Sequence, residues 1–109
     1  MPDPMIPRVS VATLRARLDD PGLHCWLIHA TDRLAFHEGH IPGALARPDD
    51  AVLRRLADGT GLVVYGEDEH AEAAPVLVTV LHRLDVEVAW FAGGLAAWRS
   101  AGLPIERSG

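Results

Sequence analysis

The chain predicts an α/β fold built on a parallel sheet, and three observations point to it. Apolar runs without polar alternation occur at Cys25-Trp26-Leu27-Ile28 and at Leu62-Val63-Val64-Tyr65, the pattern of strands buried on both faces, and Val86 to Phe91 reads as a third strand. Between them the apolar residues take helical spacing, and Gly, Pro and Asp cluster at the junctions.

Each element follows in order. Ser10 is a good N-cap for a helix from Val11 to Leu18, with Val11, Leu14 and Leu18 on one face and Arg15 and Arg17 opposite. Asp19-Asp20-Pro21-Gly22 is a turn, and the first strand follows it. From Ala30 to Gly39 the chain reads as a long loop, and Ile41-Pro42-Gly43 returns it to the sheet: Pro fixes φ and Gly accepts a positive one. Asp49 or Asp50 caps a short helix through Leu53 and Leu56, which Gly59 and Gly61 break before the second strand. In the next helix Leu77, Val80, Leu81 and Leu84 fall at i, i+3, i+4 and i+7. Pro75 is comfortable only in a first helical turn, so this helix starts at about Glu72 or later, or kinks at Ala71. Gly93-Gly94 opens a last short helix through Trp98, and Gly102 with Pro104 ends it.

Composition narrows the function. A length of 109 residues suits one domain spanning 1–109, and 49% hydrophobic with 23% charged residues is ordinary for a globular chain. Net charge of -5 argues against nucleic acid, since a phosphate backbone calls for a basic stripe. The apolar runs are far shorter than the ~20 residues that cross a bilayer, so no membrane partner is expected. Cys25, as a lone cysteine, closes no internal disulfide, and the cytoplasm is the economical location.

Sheets of this kind hold ligands at the carboxyl ends of their strands, so a site should lie just after Tyr65. The segment there reads Gly66-Glu67-Asp68-Glu69-His70-Ala71. A strand-to-helix turn collects backbone amides that suit an anion. This loop supplies its own carboxylates, and two such charges ~4 Å apart cost about 4 kcal/mol at an effective dielectric of ~20. An anionic substrate would be repelled.

Two stretches and one strand carry a family likeness. Gly39-His40-Ile41-Pro42-Gly43-Ala44, preceded by Leu27-Ile28 and Phe36, and the stretch from Ala92 to Ile105 with Gly93-Gly94, Ala97-Trp98 and Ala101-Gly102-Leu103-Pro104, flank the strand Val63-Val64-Tyr65. In order and spacing they resemble the motifs of rhodanese-like domains. The resemblance implies a small twisted parallel sheet of about five strands with helices on both faces. It also implies sulfur transfer through a cysteine at the end of the middle strand, where this chain has Gly66; Glu69 and Ala71 stand at the loop's usual glycine and arginine. His29, Thr31 and Ala35 replace the family's Asp, Arg and Glu. Glycine offers no nucleophile, so the covalent step is lost.

The expectation is therefore a catalytically silent domain without a cofactor, binding an unidentified protein or small cationic ligand through Glu67, Asp68, Glu69, His70 and His29. Two alternatives remain. One is sulfur transfer through Cys25 or a partner's cysteine, although an early-strand cysteine reads as core. The other is a metal or acid–base site on His29, Glu67, Asp68 and His70, with His37 and His40 nearby in sequence; their spacing diagnoses no metal. His29 facing His70 could instead be a charge-assisted partner of Glu67 or Asp68. Trp26, Trp90 and Trp98 read as core or sheet-covering residues.

Overall fold

A computed structural model describes residues 5–20, 25–57 and 61–107. The elements run α1 (Val11–Asp19), β1 (Cys25–His29), α2 (Arg33–Glu38), β2 (Leu45–Ala46), α3 (Asp50–Leu56), β3 (Gly61–Tyr65), α4 (Ala73–Arg83), β4 (Val88–Phe91) and α5 (Gly94–Ser100). All strand pairs are parallel and the sheet order is β2-β1-β3-β4. The α/β class follows the apolar runs, because each of Leu62, Val63, Val64 and Tyr65 is buried.

Alternation along β3 assigns the two layers. Leu62 and Val64 face one cluster with Leu53 of α3 and Ala74, Leu77, Val78 and Leu81 of α4. Val63 and Tyr65 face the other, with Leu14 of α1 and Leu95 and Trp98 of α5. Helices thus cover both faces. Ser10 caps α1 by accepting from the N–H of Thr13 at 3.1 Å, and Asp49 caps α3 by accepting from that of Val52 at 2.9 Å. Pro75 occupies the third position of α4, inside the first turn. Among the described residues no helix is long and apolar enough to cross a membrane.

The structure corrects several expectations. Four strands stand where about five were expected, because the segment beside β4 contributes only the single bridge Arg8–Trp90. The expected loop from Ala30 to Gly39 contains α2, which Asp32 starts by accepting from the N–H of Ala35 at 2.8 Å. Leu18 is 36% exposed, off the buried face of α1. β4 begins at Val88, since Val86 still donates to the Leu81 carbonyl in the turn that ends α4. Trp26 is 40% exposed and is not core. β2 pairs only with Ile28 and His29, leaving the start of β1 as a sheet edge with less cover. Trp90 and Trp98 are buried as expected. The turn calling on Pro21 and Gly22, and the helix break at Gly59, lie outside the described residues.

Candidate functional site

The carboxyl ends of β1 and β3 meet side by side, pairing His29 with Tyr65. Gly66 follows Tyr65 directly and is buried. A Cβ built on it would lie 3.4 Å from the Ala71 Cβ and 3.6 Å from the Ala74 Cβ, ordinary contact distances, so the position accepts a Cβ and carries none. Beyond it the loop turns on Asp68, whose Oδ1 accepts from the backbone N–H groups of His70 and Ala71, both at 2.9 Å. These amides, which a bound anion would otherwise use, are held by a carboxylate of the loop itself.

Backbone bonds fix the loop to α5. The carbonyl of Gly66 accepts from the Leu95 N–H at 2.9 Å, and that of Glu67 from the Ala96 N–H at 2.8 Å. Close approach here depends on Gly94, whose φ is +65°; a Cβ there would sit 2.5 Å from the Gly66 oxygen.

His29 forms the floor. Its ring is completely buried, edge-on to Tyr65 with centroids 4.9 Å apart and to Phe36 at 5.6 Å. The Nδ1 contacts the Thr31 hydroxyl, and Nε2 lies 3.5 Å from Glu67 Oε1. Burial, with the neighbouring His40 adding to it against Asp32, lowers the pKa of His29 to about 4. At neutral pH the ring is therefore uncharged, and the pattern that satisfies both nitrogens is Thr31 donating to Nδ1 and Nε2–H facing Glu67. Of the two carboxylates expected to partner His29, Glu67 is the one beside it, and the charge of the pair resides on the carboxylate because the imidazole is neutral.

Glu67 itself is 45% exposed. Partial burial raises its pKa; Arg99 opposes this, while Asp68, Asp32 and Glu38 add to it. Arg99, missed in the sequence reading, is carried by α5, and its guanidinium nitrogen would lie 3.4 Å from a Cβ on Gly39. The only sequence signal for it was its place next to Trp98 in the closing helix.

His70 is not brought to this cluster. Its side chain is 85% exposed and lies 3.4 Å from Glu69, because its backbone N–H is tied to Asp68 and its ring projects into solvent. His29 and His70 therefore do not face one another. His37 is exposed, whereas His40 is buried, stacked on Phe36 with centroids 3.9 Å apart, and bonded through Nδ1 to the Phe36 carbonyl at 2.8 Å. Among the described residues no group of three or more His, Cys, Asp or Glu side chains is placed to hold a metal ion.

Cys25 lies at the opposite end of the sheet from Gly66. It pairs with Gly61 at the start of β3, four residues before Tyr65, a separation of about 13 Å along the strand. It is half-buried against the core edge, and burial raises its thiol pKa against the opposing charge of Arg17. Neither position nor ionisation suits it to the loop.

The pattern of the rhodanese-like domain matches residues 10–101. The chain belongs to that family. Among solved structures it is similar to the rhodanese-like domain of the Alr3790 protein from Anabaena sp., at 30% identity and a TM-score of 0.75, covering 94% of this chain and 80% of that one. It also shares its fold with the BH2092 protein of Bacillus halodurans, at 20% identity and a TM-score of 0.84, over 93% and 77% of the two chains. The thiosulfate sulfurtransferase of Pseudomonas aeruginosa has the same fold, at 19% identity and a TM-score of 0.79, over 95% of this chain and 21% of that one. A curated relative is the HTH-type transcriptional regulator Rv0324 of Mycobacterium tuberculosis, 35% identical over 74 residues. That match spans 65% of this rhodanese-like chain and 33% of the regulator.

Proposed function

We propose that this rhodanese-like domain, taken as one unit over residues 1–109, transfers no sulfur and serves as a cytoplasmic binding or regulatory module. Its recognition surface is the acidic rim of Glu67, Asp68 and Glu69 near His29, with the solvent-facing His70 beside Glu69 at its outer edge, and its ligand is a cationic small molecule or a cationic segment of a protein partner. The observation that carries this reading is the buried Gly66 at the end of β3, where the family resemblance calls for a thiolate. Two further features support it: Asp68 already holds the amides of His70 and Ala71, and Cys25 lies at the far end of the sheet. The likeness to part of a protein named a transcriptional regulator favours a regulatory over a metabolic role.

The test is a thiosulfate-to-cyanide sulfur transfer assay on the wild-type chain and on Cys25→Ser, with intact-mass spectrometry during the reaction. Both proteins should give the uncatalysed rate and no sulfur adduct. Turnover that disappears in Cys25→Ser, or an adduct on Cys25, would overturn the reading and install sulfur transfer through that thiol.

A further inference from the structure

The recognition rim leaves the outer face of α4 unexplained. Ala74, Leu77, Val78 and Leu81 bury one side of this helix in the core. On the opposite side Val76 is 61% and Val80 41% exposed. With Pro75, Thr79 and Trp90 they line a shallow depression of about 550 Å³, closed at one end by Glu69 and Glu72 and at the other by Arg83.

The order of these residues is informative. Glu72, the N-cap of α4, and Val76, Thr79 and Arg83 within it are separated by four, three and four positions. That is the spacing of a helix-pairing seam, in which such residues line up along one stripe. The seam is acidic at its beginning, apolar and small in its middle, and basic at its end. Reversing one copy against another places Val76 on Thr79 and Thr79 on Val76, while Glu72 meets Arg83 at both ends. A two-fold contact demands a patch that complements itself in this way. Glu72 and Arg83 are also available: among the described residues neither enters an ion pair within its own chain.

We propose that the outer face of α4 is a self-association surface, pairing two copies of this chain through antiparallel α4 helices. Charge complementarity selects this occupant. A uniformly acidic or basic partner would meet a like charge at one end of the seam, whereas a second copy meets an opposite charge at both. The contact spans only about three helical turns, short of the roughly 1,200 Å² that stable dimers bury, so the dimer is weak and reversible. It is independent of the proposed loss of sulfur chemistry, because the seam lies outside the loop contacts that hold Gly66.

Sedimentation equilibrium over a range of concentrations tests it, with four samples: wild type, Glu72→Arg, Arg83→Glu, and an equimolar mixture of the two variants. Wild type should dimerise reversibly. Each variant alone should weaken association about tenfold or more, since like charges then oppose each other at both ends. The mixture should regain dimers, because the first variant offers two cationic ends and the second two anionic ones. Val76→Ser, which leaves charge and helix capping alone, should weaken the wild-type dimer without altering the melting temperature. A chain that stays monomeric up to ~1 mM, a dimer indifferent to both reversals, or a mixture that fails to associate would each overturn the proposal. Folding of every variant is checked by far-UV circular dichroism.

Discussion

His29 and Glu67 meet at 3.5 Å across the mouth of the site, one completely buried and the other 45% exposed. The imidazole cannot escape to solvent when it is protonated, and the carboxylate lies too near the surface to compensate fully for a buried cation. The pair is therefore a pH-dependent element of the fold.

With an unfolded-state pKa near 6.5 and a folded value of about 4, His29 binds its proton more readily when the chain is unfolded. Its contribution to stability is complete above pH 6.5 and is lost as the pH falls towards 4, a total of about 3 kcal/mol. Below pH 4 both states are protonated and this group adds no further slope. Urea unfolding at several pH values should show the decline in wild type and a much flatter profile in His29→Gln.

Gly94→Ala should be among the most damaging single-methyl changes in the chain. The added Cβ needs a positive φ and would lie 2.5 Å from the Gly66 carbonyl oxygen, so loop and helix must separate. The expected cost is at least about 2 kcal/mol, read as a drop in melting temperature of about 8 °C or more. A variant melting within a degree or two of wild type would contradict the close packing of Gly94 on the loop.

Asp68→Ala removes the acceptor for two backbone amides and should cost about 1 kcal/mol. Asp68→Asn keeps an oxygen in the same place and should lose less. Chemical denaturation of the two variants distinguishes a role in turn capping from one in charge alone, because only the second would make them equally unstable.

Gly66→Cys, made together with Cys25→Ser, should fold normally, since the contacts of the new Cβ are ordinary ones. Its sulfur transfer should nonetheless lie about a hundredfold or more below that of a complete rhodanese loop. The amides that would stabilise a thiolate or persulfide remain bound to Asp68. Near-normal turnover would show that the loop's donors are still accessible.

Much of the architecture was legible because burial writes itself into simple patterns. β3 is apolar at four successive positions and lies between two strands, and α4 repeats Leu77 and Leu81 with a proline where only a first turn accepts one. α2 escaped because its apolar residues make no stripe: Leu34 is 69% exposed, and the helix buries none of its residues. Asp32 was the available signal, an N-cap three residues before Ala35. Trp26 misled for the opposite reason, since hydrophobicity reports what a strand could bury and not how far the neighbouring strand extends. In the site, Gly66 and the acidic run were plain from the sequence. The outward turn of His70 and the neutrality of His29 were not, because both depend on which backbone amide Asp68 captures and on how deeply β1 is enclosed.

The two bonds from the loop carbonyls to Leu95 and Ala96 make the chain its own reporter. Trp98 rides on the same short helix as those amides and is anchored by its indole N–H to the Pro104 carbonyl at 2.8 Å. A molecule gripping the loop would shift the surroundings of that indole and of Trp90, which lines the depression that Glu69 borders, while Trp26 lies at the far end of the sheet. Intrinsic fluorescence can thus report binding at the loop without any label.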